Sequence, residues 1–116
     1  MERILLKSKI HRAVVTDANL NYEGSVSICP HIIDAAKIVE FEKVDIYNIN
    51  NGDRISTYAI KGKGGEICLN GAAARQAQPG DKVIIASYVH VKENNLHAFS
   101  PTLVYVDEKN KIFEVK

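Results

Sequence analysis

A glycine followed by a serine, Gly24 and Ser25, is the point in this chain best suited to unusual chemistry. Glycine tolerates strained backbone geometry and leaves its own carbonyl open to approach. If the Ser25 hydroxyl attacks the Gly24 carbonyl, the peptide becomes an ester. Elimination from that ester leaves a ketone-bearing pyruvoyl group in place of Ser25, so the chain could make its own electrophile.

Two other interpretations of the pair compete with self-cleavage. Gly-Ser is an ordinary turn pair, and an isolated example is usually nothing more. A serine hydrolase elbow requires glycines two positions before and after the serine. Glu23 and Ser27 occupy those positions here, which excludes the elbow. The dipeptide alone therefore does not decide between a turn and self-cleavage.

Ordered segments on both sides of the pair favour self-cleavage. Between Arg3 and about Val91 the chain resembles the pyruvoyl-dependent aspartate 1-decarboxylases, small enzymes that cleave themselves. The matching positions are residues 9–12, 15–18, 20, 22–25, 33–36, 51–52, 54–60, 70–74, 80–81 and 83–87. The part after Val91 carries the least resemblance, and no function is inferred from it.

The resemblance implies a fold and a maturation step. The fold is mainly β, a small six-stranded double-psi β-barrel with short helices, in a single domain over residues 1–116. Cleavage between Gly24 and Ser25 would give a short β chain, residues 1–24, and a longer α chain, residues 25–116. The family resemblance also implies a homotetramer with each active site at a boundary between subunits.

The resemblance further implies a lyase reaction. The pyruvoyl group made from Ser25 would form an imine, a Schiff base, with L-aspartate, and CO₂ would leave. The product is β-alanine for the biosynthesis of pantothenate and coenzyme A. Neither a metal ion nor pyridoxal phosphate is required. Whether a helper protein assists maturation stays open.

Site residues are implied by the same resemblance, position by position. Tyr58 would be the proton donor, and Thr57 would stabilise the oxyanion of self-cleavage and contact the substrate. Arg54 and Lys9 would bind the two carboxylates of aspartate, since an arginine fork suits a two-point contact. The backbone amides of Gly71, Ala72 and Ala73 would make further contacts with the substrate. The supporting residues would be His11, Tyr22 and Asn70. His11 could equally be a histidine that is only hydrogen-bonded in place.

Composition sets limits on the other function classes. The 116 residues, 12.9 kDa, suit one domain with a modest core. The net charge of +1 and the lack of a basic block argue against nucleic-acid binding. The sequence contains neither an apolar run near 18 residues nor a signal-like start, so no membrane role and a cytoplasmic location are expected. Cys29 and Cys68 are predicted to be buried thiols, and the scattered histidines give no metal site.

Short alternating segments with many β-branched residues predict a β-rich fold that positions these side chains. In residues 54–60 the period of two places Arg54, Ser56 and Tyr58 on one side of a strand. Further strands are predicted at residues 4–11, 13–16, 25–28, 44–48, 66–69, 82–91, 102–106 and 112–115. A short helix is expected from Pro30, with residues up to Val39 on its buried face, and a brief helical piece after residue 70.

A second hypothesis belongs to another class. A small β-barrel that binds a ligand or partner and never cleaves would make the Gly24 and Ser25 junction a plain turn. The joint presence of the six site positions favours the enzyme, because a binding module has no reason to keep them together. These positions are Lys9, Ser25, Arg54, Thr57, Tyr58 and Asn70.

Overall fold

The computed structural model describes residues 1–116, which form nine β-strands, one α-helix and two 3-10 helices. The strands are β1 Glu2–Val14, β2 Asp17–Asn19, β3 Ser25–Ile28, β4 Lys43–Asn48, β5 Arg54–Lys61, β6 Ile67–Asn70, β7 Lys82–Lys92, β8 Thr102–Val106 and β9 Ile112–Val115. The helix α1 is Pro30–Ala35, and the 3-10 helices are Gly71–Gln76 and Glu93–Ala98. None of the helices has the length and apolarity needed to span a membrane.

All nine strands belong to one sheet, in the order β2-β6-β3-β5-β4-β7-β1-β8-β9. The mainly β prediction is confirmed, and the predicted strands are present with small shifts at their ends. The six strands expected are those of the barrel, whereas the whole sheet has nine. The sheet is not closed, since β2 and β9 stand at its two edges, so the double-psi barrel stays a prediction. Asp17–Asn19, which lies outside the predicted strands, forms a short strand because it pairs in parallel with β6.

β1 joins the middle of the sheet to its last strands. It pairs antiparallel with β7 and parallel with β8. Its register shifts twice, between Leu6 and Ser8 and between Ile10 and Ala13. Arg12, at the second shift, has a left-handed φ of 66°. Such bulges increase the local twist of a strand, so β1 is bent rather than flat.

One cluster of 20 buried hydrophobic residues forms the core. Alternation along the strands selects its members: in β4 the side chains of Val44 and Ile46 are buried, while Lys43 is exposed. Ile32 and Ile33 of α1 are fully buried. The expectation that Val39 belongs to the buried helix face is wrong. It is 66% exposed, because the helix ends at residue 35 and Val39 lies in the turns that follow.

β3 lies between β5 and β6, and all four of its residues are buried. It runs parallel to β5, with Val26 opposite Ala59, and antiparallel to β6, with Val26 opposite Leu69. These three residues belong to the core. Ser25, the first residue of β3, therefore faces the opposite side of the sheet. The neighbouring strands β5 and β6 fix its position.

Candidate active site

The junction between Gly24 and Ser25 lies where an exposed loop enters the buried strand β3. Gly24 is exposed, whereas Ser25 is only 1% exposed. Ser25 stands directly opposite Asn70 on β6. The change from exposed to buried within one peptide bond leaves the Gly24 backbone accessible while the serine hydroxyl is shielded from water.

Two hydrogen bonds fix the Ser25 hydroxyl. The Asn70 side-chain amide donates to Ser25 Oγ at 2.9 Å and to Ser27 Oγ at 3.0 Å. The Ser25 hydroxyl in turn donates to the Glu23 carbonyl at 3.3 Å. The hydroxyl is thereby turned back toward the segment that precedes it.

Gly71 presses against Gly24 at the start of the 3-10 helix that follows β6. A Cβ at position 71 would lie 2.7 Å from both the Cα and the N of Gly24, and 3.0 Å from the Tyr22 carbonyl oxygen. Gly71 also has a left-handed φ of 63°. Glycine is required here on both counts. In contrast, a Cβ at Gly24 would meet nothing within 4 Å, so that face of the junction is open.

Thr57 and Tyr58 lie on β5, the parallel neighbour of β3. Because Val26 is opposite Ala59, the preceding residues, Ser25 and Tyr58, are next to each other in the same register and share a face of the sheet. Thr57 belongs to the other face, with Ala59, as the alternation predicted. The hydrogen bonds of Ser25 go to Glu23 and Asn70, not to Thr57.

The two predicted substrate cations are not brought to this junction within one chain. Arg54 precedes Tyr58 by four residues, which is about 13 Å along a strand. Its guanidinium lies over the Tyr47 ring, 4.7 Å from the centroid. Lys9 is on β1, and β5, β4 and β7 separate that strand from β3. Within one chain, Arg54 therefore lies on the strand next to Ser25 but well along it, and Lys9 lies on a distant strand.

Two of the supporting positions, Tyr22 and His11, also lie in different parts of the chain's fold. Tyr22 is 56% exposed, and its carbonyl lies beside Gly71. His11 is far from Ser25, on β1, with its ring edge-on to Tyr105 at a centroid distance of 5.5 Å. His11 Nδ1 is buried without a hydrogen-bond partner. Burial, and then the charges of Lys9 and Arg12, lower the pKa of His11 from its ordinary value of 6.5, which favours a neutral ring.

Comparison with known proteins decides the family. The aspartate decarboxylase family model matches residues 1–113. The chain belongs to the aspartate decarboxylase family. It is 66% identical over 116 residues to the aspartate 1-decarboxylase of Hydrogenobaculum sp. (strain Y04AAS1), covering 100% of this chain and 93% of that protein. It is 61% identical over 110 residues to that of Bdellovibrio bacteriovorus, covering 95% and 89% of the two chains. The resemblance inferred from the motifs is confirmed.

Sequence reasoning missed three residues around the decarboxylase family motifs. Tyr47 is the cross-strand partner of Arg54, and its hydroxyl lies 2.6 Å from that of Tyr88. Burial, and then the hydrogen bond with Tyr88, raise the pKa of Tyr47 to about 12. Cys68, a buried free thiol, donates to Asn70 Oδ1 at 3.2 Å. Nothing in the sequence showed the register that pairs Tyr47 with Arg54, whereas Cys68 and Asn70 are two residues apart on β6 and share a face.

Metal-binding chemistry has no geometric support in this member of the family. No group of three or more His, Cys, Asp or Glu side chains is placed to hold a metal ion. Cys29 and Cys68 are both buried and free, as the sequence predicted for two small thiols.

Proposed function

We propose that this chain is an aspartate 1-decarboxylase that makes a pyruvoyl cofactor by cleaving its own bond between Gly24 and Ser25. The buried Ser25 hydroxyl, held by Asn70 next to an accessible glycine, is the observation that carries the proposal. The names of the relatives, aspartate 1-decarboxylase, supply the substrate and the reaction. Cleavage would leave a β chain of residues 1–24 and an α chain of residues 25–116.

Self-cleavage can be written as three steps in which every atom is accounted for. Ser25 Oγ attacks the Gly24 carbonyl carbon, the amide C–N bond breaks, and the hydroxyl proton moves to the freed nitrogen, giving an ester. Loss of the Ser25 Cα proton then breaks the ester bond and leaves Gly24 with a carboxylate. Water adds to the resulting unsaturated residue and ammonia leaves, so one water is consumed and one ammonia is released per chain.

Three groups support the attack. Asn70 donates to the oxygen on which negative charge grows as the hydroxyl loses its proton. Thr57, one strand away, is assigned to the oxyanion that forms at Gly24. A preorganised donor of this kind contributes about 3 kcal/mol to a transition state. Gly71 fixes the Gly24 backbone by contact, which maintains the approach of the two reacting groups.

The residues around position 25 fit a pyruvoyl group. The position is buried, an open glycine face adjoins it, and the Asn70 amide that now holds the hydroxyl can hold a carbonyl oxygen by the same donor. When present, that ketone supplies an electron sink for the pair freed as the α-carboxylate departs. Tyr58, on the same face, is proposed to return the proton.

Substrate binding requires two cations for two carboxylates. Arg54 is proposed as the two-point clamp and Lys9 as the point charge. The Tyr47 ring, stacked on the guanidinium, restricts the orientations available to Arg54. The backbone amides of Gly71, Ala72 and Ala73, which open the 3-10 helix beside the junction, are the proposed additional contacts.

A homotetramer with sites between subunits is proposed because one chain cannot assemble the site. Ser25 and Lys9 are four strand positions apart, about 19 Å on a flat sheet at about 4.8 Å per step. One aspartate, with its amine at position 25, cannot also reach Lys9 across that separation. Large apolar side chains are also exposed and available for contact with other copies: Ile4, Phe41, Tyr88, Phe113 and Val115. A fully active 12.9 kDa monomer would contradict this part of the proposal.

Intact mass under denaturing conditions tests the proposed function. We expect two fragments, residues 1–24 and a remainder of 92 residues (116 minus 24) that is lighter by ammonia than the hydrolysed chain. The same sample should release CO₂ from L-aspartate. Ser25→Ala should remain one chain and release none. A wild-type chain that stays whole on long incubation, with or without cell extract, would support the binding module instead. The extract arm tests the need for a helper protein.

A further inference from the structure

Cys68 completes a square of polar side chains around the reacting serine. Ser25 is opposite Asn70 and Ser27 is opposite Cys68 on the antiparallel strands β3 and β6. Each pair of neighbours along a strand is two residues apart, so all four side chains share one face. All four are buried, with Cys68 6% and Asn70 3% exposed.

The square uses every hydrogen-bonding group of the Asn70 side chain. Its amide nitrogen donates to both serine hydroxyls, which accounts for its two hydrogens. Its oxygen, Oδ1, accepts from the Cys68 thiol at 3.2 Å. Cys68 is the only side chain that donates to this buried oxygen, so removing the thiol leaves Oδ1 unsatisfied. An unsatisfied buried acceptor is costly, so the thiol adds to the stability of the observed amide orientation.

The two orientations of the amide have different consequences for Ser25. Serine hydroxyls can donate as well as accept, so they do not by themselves select either orientation. In the observed one, an N–H faces Ser25 Oγ and stabilises the negative charge that grows there as the hydroxyl loses its proton. In the rotated one, a carbonyl oxygen would face Oγ and disfavour that charge. Sulfur is a poor acceptor, so the Cys68 thiol offers Oδ1 a donor and offers a rotated N–H little, which favours the observed orientation.

The thiol stays in the form that donates. Burial, and then the charges of Asp17 and Glu66, raise the pKa of Cys68 above its ordinary value of 9.0. A thiolate at this position would instead attract the amide N–H groups and turn them away from the serines. The protonated thiol and the observed amide orientation therefore agree with each other.

We propose that Cys68 is a positioning residue for self-cleavage, holding the Asn70 amide in the orientation that activates Ser25. This inference rests on the proposed function, since it concerns the rate at which the Gly24 and Ser25 junction breaks. A thiol is a weak donor, so losing its hydrogen bond should slow cleavage modestly, about three- to tenfold.

The test measures cleavage in the full chain after a short pulse of cell-free translation, with the two fragments followed by mass over time. Cys68→Ala removes the donor and should show the three- to tenfold slowing. Cys68→Ser restores a donor at the same position and should return the rate to near that of wild type. Cys29→Ala is the matched control, because Cys29 is also buried and free but bonds to nothing in the square.

The outcomes separate the inference from the function on which it rests. If the wild type never cleaves, the proposed function fails. If it cleaves and Cys68→Ala keeps pace with Cys29→Ala, the function stands and the positioning role is overturned. Equal slowing in Cys68→Ala and Cys68→Ser also overturns it, because packing rather than donation would then be responsible. Should Cys68→Ala not fold, Cys68→Val removes the donor while filling the space and takes its place.

Discussion

A methyl group added at Gly71 would strike the backbone at the bond proposed to break. In Gly71→Ala, the new Cβ would lie 2.7 Å from the N and Cα of Gly24, where ordinary contacts begin at 3.4 Å. Backbone atoms cannot rotate away as a side chain can. Gly24 therefore has to move by about 0.7 Å, the difference between the two distances.

Two effects add up in this variant. A left-handed backbone costs a non-glycine residue about 1–2 kcal/mol, and Gly71 has a φ of 63°. Forcing an extra carbon into packed surroundings costs about 1–3 kcal/mol. We expect Gly71→Ala to lower the free energy of unfolding by about 2–5 kcal/mol. Because a misplacement of about 1 Å can slow a positioned reaction about a hundredfold, cleavage should slow by at least tenfold.

Gly80→Ala separates strain from contact. Gly80 also has a left-handed φ, 94°, but a Cβ there meets nothing within 4 Å. It should lose stability through backbone strain while cleaving at the wild-type rate. Chemical denaturation gives the free energies, and intact mass after a translation pulse gives the cleavage rates. A folded Gly71→Ala chain that cleaves as fast as Gly80→Ala would refute the claim that Gly71 positions the junction.

Two further predictions concern the outer face of β4 and β5. Tyr58→Phe should cleave normally yet lose about a hundredfold or more of aspartate turnover, since it keeps the ring and removes the proposed proton donor. Normal turnover in the cleaved variant would eliminate that role. Tyr88→Phe should lower the pKa of Tyr47 from about 12 toward 10.0, because it removes a hydrogen bond that raises it. The raised pKa favours the neutral form of Tyr47 in the folded chain. The stability that this contributes to the fold is therefore present below pH 10 and is lost as the pH rises toward 12. Tyrosinate absorbance measures the shift, and an unchanged titration would assign it to burial alone.

The strands could be predicted wherever apolar residues alternate with polar ones, so that one face of the strand is clearly the buried face. Residues 54–60 and 44–48 were identified as strands, and the alternation placed Tyr58 and Arg54 away from the core side of Ala59. The pattern failed at Val39 because apolar character alone does not show where a helix ends. Here the chain leaves the helix at residue 36 and turns at Lys37 with a left-handed φ of 58°.

The candidate site was predictable as a set of positions and not as a set of contacts. Family motifs named Ser25 and Asn70, but only the antiparallel register of β3 and β6 reveals that they face each other. Contacts between strands depend on register, and a one-residue slip would send every side chain to the other face. Register likewise decides that Cys68, two residues before Asn70 on β6, lies opposite Ser27.

Core residues occupy one face of the sheet, so the side chains of the proposed chemistry lie on the other face. Val26, Ala59 and Ile46 point into the core. Their neighbours along the chain, among them Ser25, Tyr58 and Tyr47, necessarily point the opposite way. Strand spacing, not side-chain direction, then keeps the junction apart from Lys9 within one chain. All these side chains already share a face. A second copy packed against that face could therefore bring its own Lys9 to the junction without any refolding. The proposed assembly and the proposed catalysis thus depend on the same surface.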